Sequence, residues 1–510
     1  MKTQPAPGAR WAAALALVLG CGDDGGVRPD AALDDAPVMT TEVPVEGHTT
    51  DGSSIGCKIT VEGLDGTPSP RWGTSDSGHV GVWLDADNLA VDDTVLARAC
   101  SARLPLPPGH YRLTLSRGPE WNAPVQTLDL GATPPTPLAV EMTRAVDSTG
   151  WACADLHVHS APSYDSDVPL EQRLLSALVE GLDLMVPADH DALGAWEDPA
   201  SMQDPEGDVL LVLGDELTPD QWPGSAPLGH VNLYPVPETL DTSLLVISGA
   251  TVEELLDAAR VAAPGALAQI NHPRWNGSIG YFASIGFDPA TVLGRDGRMI
   301  AMFDAVEVWN GHEQDRVEGT TLDQVLGDWF ALLNAGQILV ATGSSDTHRL
   351  ARSPVGSPRT CVRVTDDRPG HLDAAAFVDA LASGSAFVTS GPFLEIEIAG
   401  AGPGDLVRST GEVEVRAHVQ AADWVGAARF GLVVDGLMTA MVAVGPVPAS
   451  PAITVPIDGD AWILGLVEDD APLGVPAGNP TRPMRSLAFT NPVFVDADGD
   501  GLWTPPAPMP

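Results

Sequence analysis

The chain has 510 residues, too many for one hydrophobic core, so about two to four domains are expected. Its 69 Asp and Glu outnumber 26 Lys and Arg, and the formal net charge of -43 excludes a surface built to hold nucleic acid or anionic lipid while favouring solubility and cation binding. A hydrophobic content of 44% with 53 Gly and 46 Pro excludes a disordered chain and fits a globular, loop-rich one.

Lys2 and Arg10 precede an apolar run from Trp11 to Leu19, which is followed by Gly20-Cys21. A charged region ahead of an apolar stretch too short to span a bilayer reads as an export signal. Val18-Leu19-Gly20-Cys21 resembles a bacterial lipoprotein signal. That resemblance implies removal of residues 1–20 and membrane attachment through a lipid on Cys21, in the periplasm or at the cell surface; a plain secretory signal is the alternative. No later stretch is apolar for long enough to cross a membrane. Residues 21–45 are rich in Gly, Asp and Pro, without periodicity, and read as a flexible linker. Of the other cysteines, Cys57 and Cys100 fall in one β-rich region and are paired on that ground. The absence of a CxxC motif speaks against a thiolate zinc site.

Short alternating runs such as GCKITVEGL and HYRLTLSRG fill residues 46–149 and predict an N-terminal β-sandwich. Over 150–390 strands alternate with amphipathic helices, the pattern of α/β units. Asp167 is placed to cap a helix that Gly181 ends, Thr251 and Glu254 form a capping box, Thr321 and Gln324 another, and a fourth helix covers 373–384. Seven strands are expected, at 152–159, 182–190, 209–216, 230–235, 266–272, 305–310 and 338–344. Most carry their polar residues at the C-terminal end, where a β/α barrel builds its site, and seven rather than eight suggests a distorted barrel. Alternation returns over 391–495, a C-terminal β-sandwich, before an acidic turn and Pro-rich tail at 496–510.

The polar strand ends carry the chemistry. His157 and His159 stand two apart on a strand, so both imidazoles face one side. Asp189-His190-Asp191, Asp215-Glu216, His230, His272 and Asp346-Thr347-His348 follow. Imidazole and carboxylate without thiolate suit Zn²⁺, Mn²⁺ or Fe, and so many groups at one barrel mouth need two or three ions rather than one. His48, His79, His110, His371 and His418 read as structural, and His312 equally as a pocket or a loop residue.

DLHVHS, ADHD, GDE, NHP and SDTH, in that order, resemble the motifs of the polymerase-and-histidinol-phosphatase (PHP) superfamily of metallohydrolases; GHVNLYP, VEVWNG and TNPVFVDADGDG resemble its CehA/McbA-type branch. The resemblance implies an α/β fold, a distorted (β/α)7 PHP barrel between the two β-sandwiches, with a trinuclear site at the strand ends. It implies that His157, His159, Glu216 and Asp346 hold a first metal and that Glu216 bridges to a second held by His230 and His272. The third falls to His190, His348 and Asp165, with Asp167 the rival to Asp165. Asp189 is expected to orient His190.

Two or three divalent transition metals would activate water as a bridging hydroxide, so an exported metal-dependent hydrolase of phosphoester bonds is the leading reading. Glu216 and Asp346 hold the metals, and Arg274 at the rim either meets phosphate or forms a salt bridge, as do Arg349 and Arg352. The alternatives are hydrolysis of a carboxylic ester, carbamate or amide, and a non-catalytic cell-surface binding protein. The expected partner is a small ester or phosphoester, not nucleic acid. Trp309 and Asn310 line the pocket or belong to the core. Asp496, Asp498 and Asp500 read equally as a weak Ca²⁺ loop or a solvated acidic turn.

Overall fold

Alternating apolar residues over the first described hundred positions build two sheets whose inner faces share one core. A computed structural model describes residues 40–506, apart from 74–79, 132–135, 194–207, 220–227, 243–244, 246–248, 276, 312–319 and 475–483. The leader with Cys21, and His79 and His312, lie outside the described residues.

The N-terminal strands are β1 (Thr41–Thr49), β2 (Cys57–Leu64), β3 (Val82–Trp83), β4 (Asn88–Val91) and β5 (Thr94–Ala97). β6 (Ser101–Leu106), β7 (Gly109–Ser116), β8 (Val125–Leu130) and β9 (Leu138–Met142) complete them. They form a three-stranded sheet, β6-β1-β9, and a six-stranded sheet, β3-β4-β5-β2-β7-β8. Val43, Val45, Ile59, Leu104, Leu113 and Val140 from both sheets meet in one buried cluster, as in a sandwich. The Cys57–Cys100 disulfide closes this part of the chain.

The α/β part runs β10 (Trp151–Val158), α1 (Leu170–Val179), β11 (Leu184–Pro187), β12 (Leu210–Leu211), β13 (Asp215–Leu217) and β14 (Val231–Tyr234). It continues with α2 (Val252–Ala262), β15 (Leu267–Ile270), α3 (Tyr281–Ile285), β16 (Ala305–Asn310), α4 (Thr320–Asn334) and β17 (Val340–Ser344). β18 (Arg359–Arg363), α5 (Ala374–Ala382) and β19 (Ala386–Thr389) end it. Caps follow local chemistry in part. Thr251 and Glu254 make the expected reciprocal box on α2, and Asp373 caps α5. Asp167 does not cap α1: Pro169 holds that position without a side-chain bond, and its fixed φ suits a helix entry.

Among the described residues no single sheet forms a regular closed barrel, and the α/β part is a mixed arrangement of two sheets. β10, β11 and β12 belong to one large sheet, whereas β13-β14-β15-β16-β17 form a second, with β14 antiparallel to both neighbours. Between β12 and β13, Gly214 still donates to the Pro187 carbonyl of β11, and a Cβ there would stand 2.5 Å from Val186 Cγ1, so the close approach favours glycine. The two sheets still curve about one interior. Leu156, Val186, Val212, Tyr234, Leu267 and Val340 share a core that Phe377 and Leu381 of α5 plug from below. The two sheets are joined by isolated bridges, Val158–Thr347 and His190–Glu216, at the ends that carry the candidate ligands.

The large sheet does not stop at residue 390. Its order is β12-β11-β10-β18-β19-β27-β26-β23-β24, where β23 is Arg429–Val434, β24 Leu437–Ala443, β26 Ala461–Pro472 and β27 Arg485–Thr490. β28 (Val493–Asp496) and β21 (Leu406–Arg408) attach beside β26. A separate sheet of β20 (Phe393–Glu397), β22 (Gly411–Gln420) and β25 (Ala452–Ile457) packs on it through Leu394, Val415, Ile453, Phe430 and Ile463. The C-terminal sandwich therefore shares a layer with the α/β part. A second disulfide, Cys153–Cys361, crosses directly between β10 and its antiparallel neighbour β18. No described helix is long and apolar enough to cross a membrane.

Candidate metal centre

The first pair of ligands stands at the end of β10. Ala154 and Leu156 point into the shared core, and the pairing with β11 then shifts register between Asp155 and Val158. His157 and His159, on the face opposite Ala154 and Leu156, face the cluster, both fully buried. Asp346 follows β17, its backbone at φ 50° and its N–H donating 2.9 Å to the His157 carbonyl. His272 follows β15 at φ 27°, a left-handed conformation unusual for a residue with a side chain.

Glu216 on β13 stands at the centre. Its Oε2 lies 3.2 Å from His157 Nε2, 3.3 Å from His159 Nε2 and 3.1 Å from His190 Nδ1. Its Oε1 lies 3.0 Å from His230 Nδ1, 3.1 Å from His272 Nε2 and 2.9 Å from the Asn271 amide nitrogen that donates to it. His159 Nε2 is also 3.1 Å from Asp346 Oδ1, and Asp165 Oδ2 is 3.2 Å from both His190 Nε2 and His348 Nε2. All nine candidate ligands thus meet in one network. Asp165 joins it rather than Asp167, which is exposed.

Four overlapping groups could each hold a cation: His157/His159/Glu216, His157/His272/Asp346, His190/Glu216/His230 and His159/Asp165/His190/His348. These groups keep His157 and His159 with Glu216, and His190 and His348 with Asp165, as the resemblance implies, and they also place His272 with His157 and Asp346, and His190 with Glu216 and His230. The donors fit divalent transition metals. They are imidazoles and carboxylates only, and Glu216 Oε2 is buried with three imidazole nitrogens around it yet accepts no well-formed hydrogen bond among the described residues. Charge agrees. Burial opposes ionisation of Glu216, but the His157, His190 and His230 imidazoles outweigh it and hold the carboxyl well below its usual range. Burial likewise opposes a charge on His157, and Asp346, Glu216 and Glu307 outweigh it to raise that pKa well above the usual value. Protons therefore stand where cations can replace them.

Around the ligands is a ring of buried polar groups, of which Asp189 and Asn310 were singled out in the sequence and Ser163, Thr218, Arg173 and Glu307 were not. Ser163 Oγ faces His159 Nδ1 at 3.0 Å, and Thr218 Oγ1 faces His190 Nδ1 at 2.8 Å. The Asp189 carboxylate accepts from the Ser160 N–H and hydroxyl. Arg173 of α1, fully buried, donates to the carbonyls of His159, Thr347 and Arg349 and so ties the first and last ligand loops together. Glu307 and Asn310 lie on β16 behind His157 and Asp346. The available signal was a glutamate inside the apolar strand AVEVWN, since a buried charge needs specific partners. Trp309 belongs to the core. Tyr164, 66% exposed, stacks on the His190 ring at 4.7 Å, and Trp275 meets the His272 ring edge at 5.2 Å.

Two assignments are refined. Arg274 takes the salt-bridge alternative to a phosphate contact. Its guanidinium makes two 2.6 Å bonds to Asp328, a third to the Phe287 carbonyl, and lies over the Phe282 and Phe287 rings. Arg274→Ala should leave the Asp328 carboxylate buried without its cation and cost about 3–5 kcal/mol of stability. Thermal unfolding with metal counting checks this, because the remaining folded protein should keep its full metal complement. Arg352 pairs with Asp92 of the N-terminal part, whereas Arg349 is exposed. In the acidic turn, Asp496 and Asp498 group with Asp460 rather than Asp500, whose carboxylate accepts from Leu502 N–H.

No family model matches the chain, and no curated protein matches it. Among solved structures it is similar to endonuclease Q in complex with a 27-mer duplex substrate bearing an abasic lesion. That likeness has 13% identity over 55% of this chain and 62% of the other, at a TM-score of 0.33. It is also similar to the CARDB domain of the PF1109 protein of Pyrococcus furiosus, in complex with di-metal ions, with 21% identity over 21% of this chain and 94% of that domain, at a TM-score of 0.14. Likeness at this level fixes neither family nor activity.

Proposed function

We propose that the chain is a metal-dependent hydrolase of the PHP type, acting on the ester bond of a small molecule. The observation that carries this is the Glu216 carboxylate, buried where five imidazoles converge on its two oxygens. When bound, two or three Zn²⁺, Mn²⁺ or Fe ions would activate water near neutral pH and polarise the scissile oxygen. Glu216 would serve adjacent ions with its two oxygens, and Asp346 would complete the group with His157 and His272. Asp165 and His348, on the exposed side, would meet the substrate end of the cluster beneath Tyr164. No serine or cysteine nucleophile is required: the Ser160 hydroxyl is engaged by Asp189.

Phosphoesters are the first class to test, because several cation subsites side by side can neutralise a phosphoryl group without a protein cation. A specific observation favours a second reading, a neutral carboxylic ester or carbamate: Arg274 is committed to Asp328. A nucleic acid is a poor substrate for a chain of net charge -43. The two disulfides suit an oxidising compartment, in keeping with an exported protein anchored through Cys21. Purified protein reconstituted with Zn²⁺ or Mn²⁺ and offered phosphomonoesters, phosphodiesters, carboxylic esters and carbamates should hydrolyse a phosphoester fastest. Turnover of carbamates alone would move the assignment to the second reading, and turnover of none would remove the hydrolase.

A further inference from the structure

One fully buried carboxylate stands behind all three members of the His157/His272/Asp346 group. Glu307 Oε1 is 3.0 Å from His157 Nδ1. Its Oε2 accepts from the His272 backbone N–H at 2.7 Å and from the Asn310 amide at 2.9 Å. The same Asn310 amide nitrogen donates 3.0 Å to Asp346 Oδ2. Each link acts on a different degree of freedom. The first holds the proton of His157 on Nδ1 and leaves the Nε2 lone pair facing the cluster. The second pins the backbone of His272 in its left-handed conformation at φ 27°. The third turns the Asp346 carboxylate, leaving Oδ1 toward His157 and His159.

We propose that Glu307 is the positioning residue of one cation subsite, aligning His157, His272 and Asp346 together, while Thr218 positions His190 of the neighbouring subsite. This rests on the metal-centre reading above. The second subsite has its own supports, Thr218 on His190 and Asn271 on Glu216, and neither touches Glu307. The chemistry of the site demands a carboxylate. Three donors, a ring N–H, a backbone N–H and an amide N–H, converge on two oxygens, and a carboxamide offers only one acceptor. In Glu307→Gln the amide group must face either the His272 and Asn310 donors or His157 Nδ1. The latter would force the proton of His157 onto Nε2 and withdraw the ligating lone pair.

The test is metal affinity rather than turnover. Metal-free wild type, Glu307→Gln, Asn310→Ala and Thr218→Val are titrated with Zn²⁺ and with Mn²⁺ against a competing chelator, with near-ultraviolet circular dichroism to confirm folding. Glu307→Gln should weaken one equivalent by about 10–100-fold and leave the others within a fewfold of wild type. Asn310→Ala, which removes the Asp346 link and one of the three bonds to Glu307, should weaken that same equivalent to a smaller degree and keeps the test decisive if Glu307→Gln does not fold. Thr218→Val should weaken a different equivalent. Wild-type affinity at every equivalent in both β16 variants, or a uniform loss across all equivalents, overturns the proposal while leaving the metal centre intact. A wild type that binds no metal overturns the metal centre and this proposal with it.

Discussion

Protein purified without chelator is expected to carry at least two equivalents of divalent transition metal, and removing them should abolish hydrolysis. The magnitude follows from what the site lacks. Among the described residues the ligand network contains no lysine, the only lysines of the chain are Lys2 and Lys58, and Arg274 is engaged elsewhere. Charge developing on the scissile group would have to be met by cations held between Glu216, Asp346 and the histidines. Lewis-acid stabilisation of this kind is worth several kcal/mol, which corresponds to a rate loss on the order of 10³-fold or more. Dialysis against a chelator, elemental analysis and reconstitution measure it, and full activity in metal-free protein would end the proposed mechanism.

The second large effect is expected from Glu216→Gln. Its two oxygens face different sets of imidazoles, so a single substitution reaches two overlapping groups at once. The replacement keeps the volume, removes the charge, and sets an amide donor against either the His157, His159 and His190 nitrogens or the His230 and His272 nitrogens. More than one equivalent of metal should be lost, and hydrolysis should fall at least as far as on chelation. The contrast with Glu307→Gln is diagnostic, because that variant should lose affinity at one equivalent only. A Glu216→Gln protein with full metal content and activity within tenfold of wild type would remove Glu216 from the centre.

Most of the candidate ligands were legible because they sit at the ends of apolar runs, where a polar side chain has few structural reasons to be, whereas Asp165 in SYDSD was placed only through the resemblance. Strand and helix periodicity placed the α/β part for the same reason. What escaped depended on partners distant in sequence. Cys153 and Cys361 are 208 positions apart and meet only because β18 returns antiparallel to β10. Arg274 stands beside a ligand in the motif, yet Asp328 on α4 offers its guanidinium a buried partner. Asp167 has the right residue type for a cap but lies two positions too early, because Pro169 opens the helix. The antiparallel placement of β14 also escaped, because it does not alter the hydrophobic period.

The sheet that runs through both β10 and β27 also constrains the order in which the molecule can be completed. β19, the last strand of the α/β part, takes one neighbour from β18 and the other from Arg485–Thr490, close to the end of the chain. A polypeptide emerging from its N-terminus can finish the first sandwich early. The layer carrying His157 and His159 stays open at that edge until almost all of the chain has been released. Cleavage or truncation near residue 390 would accordingly expose a row of unsatisfied backbone groups rather than liberate an independent catalytic module.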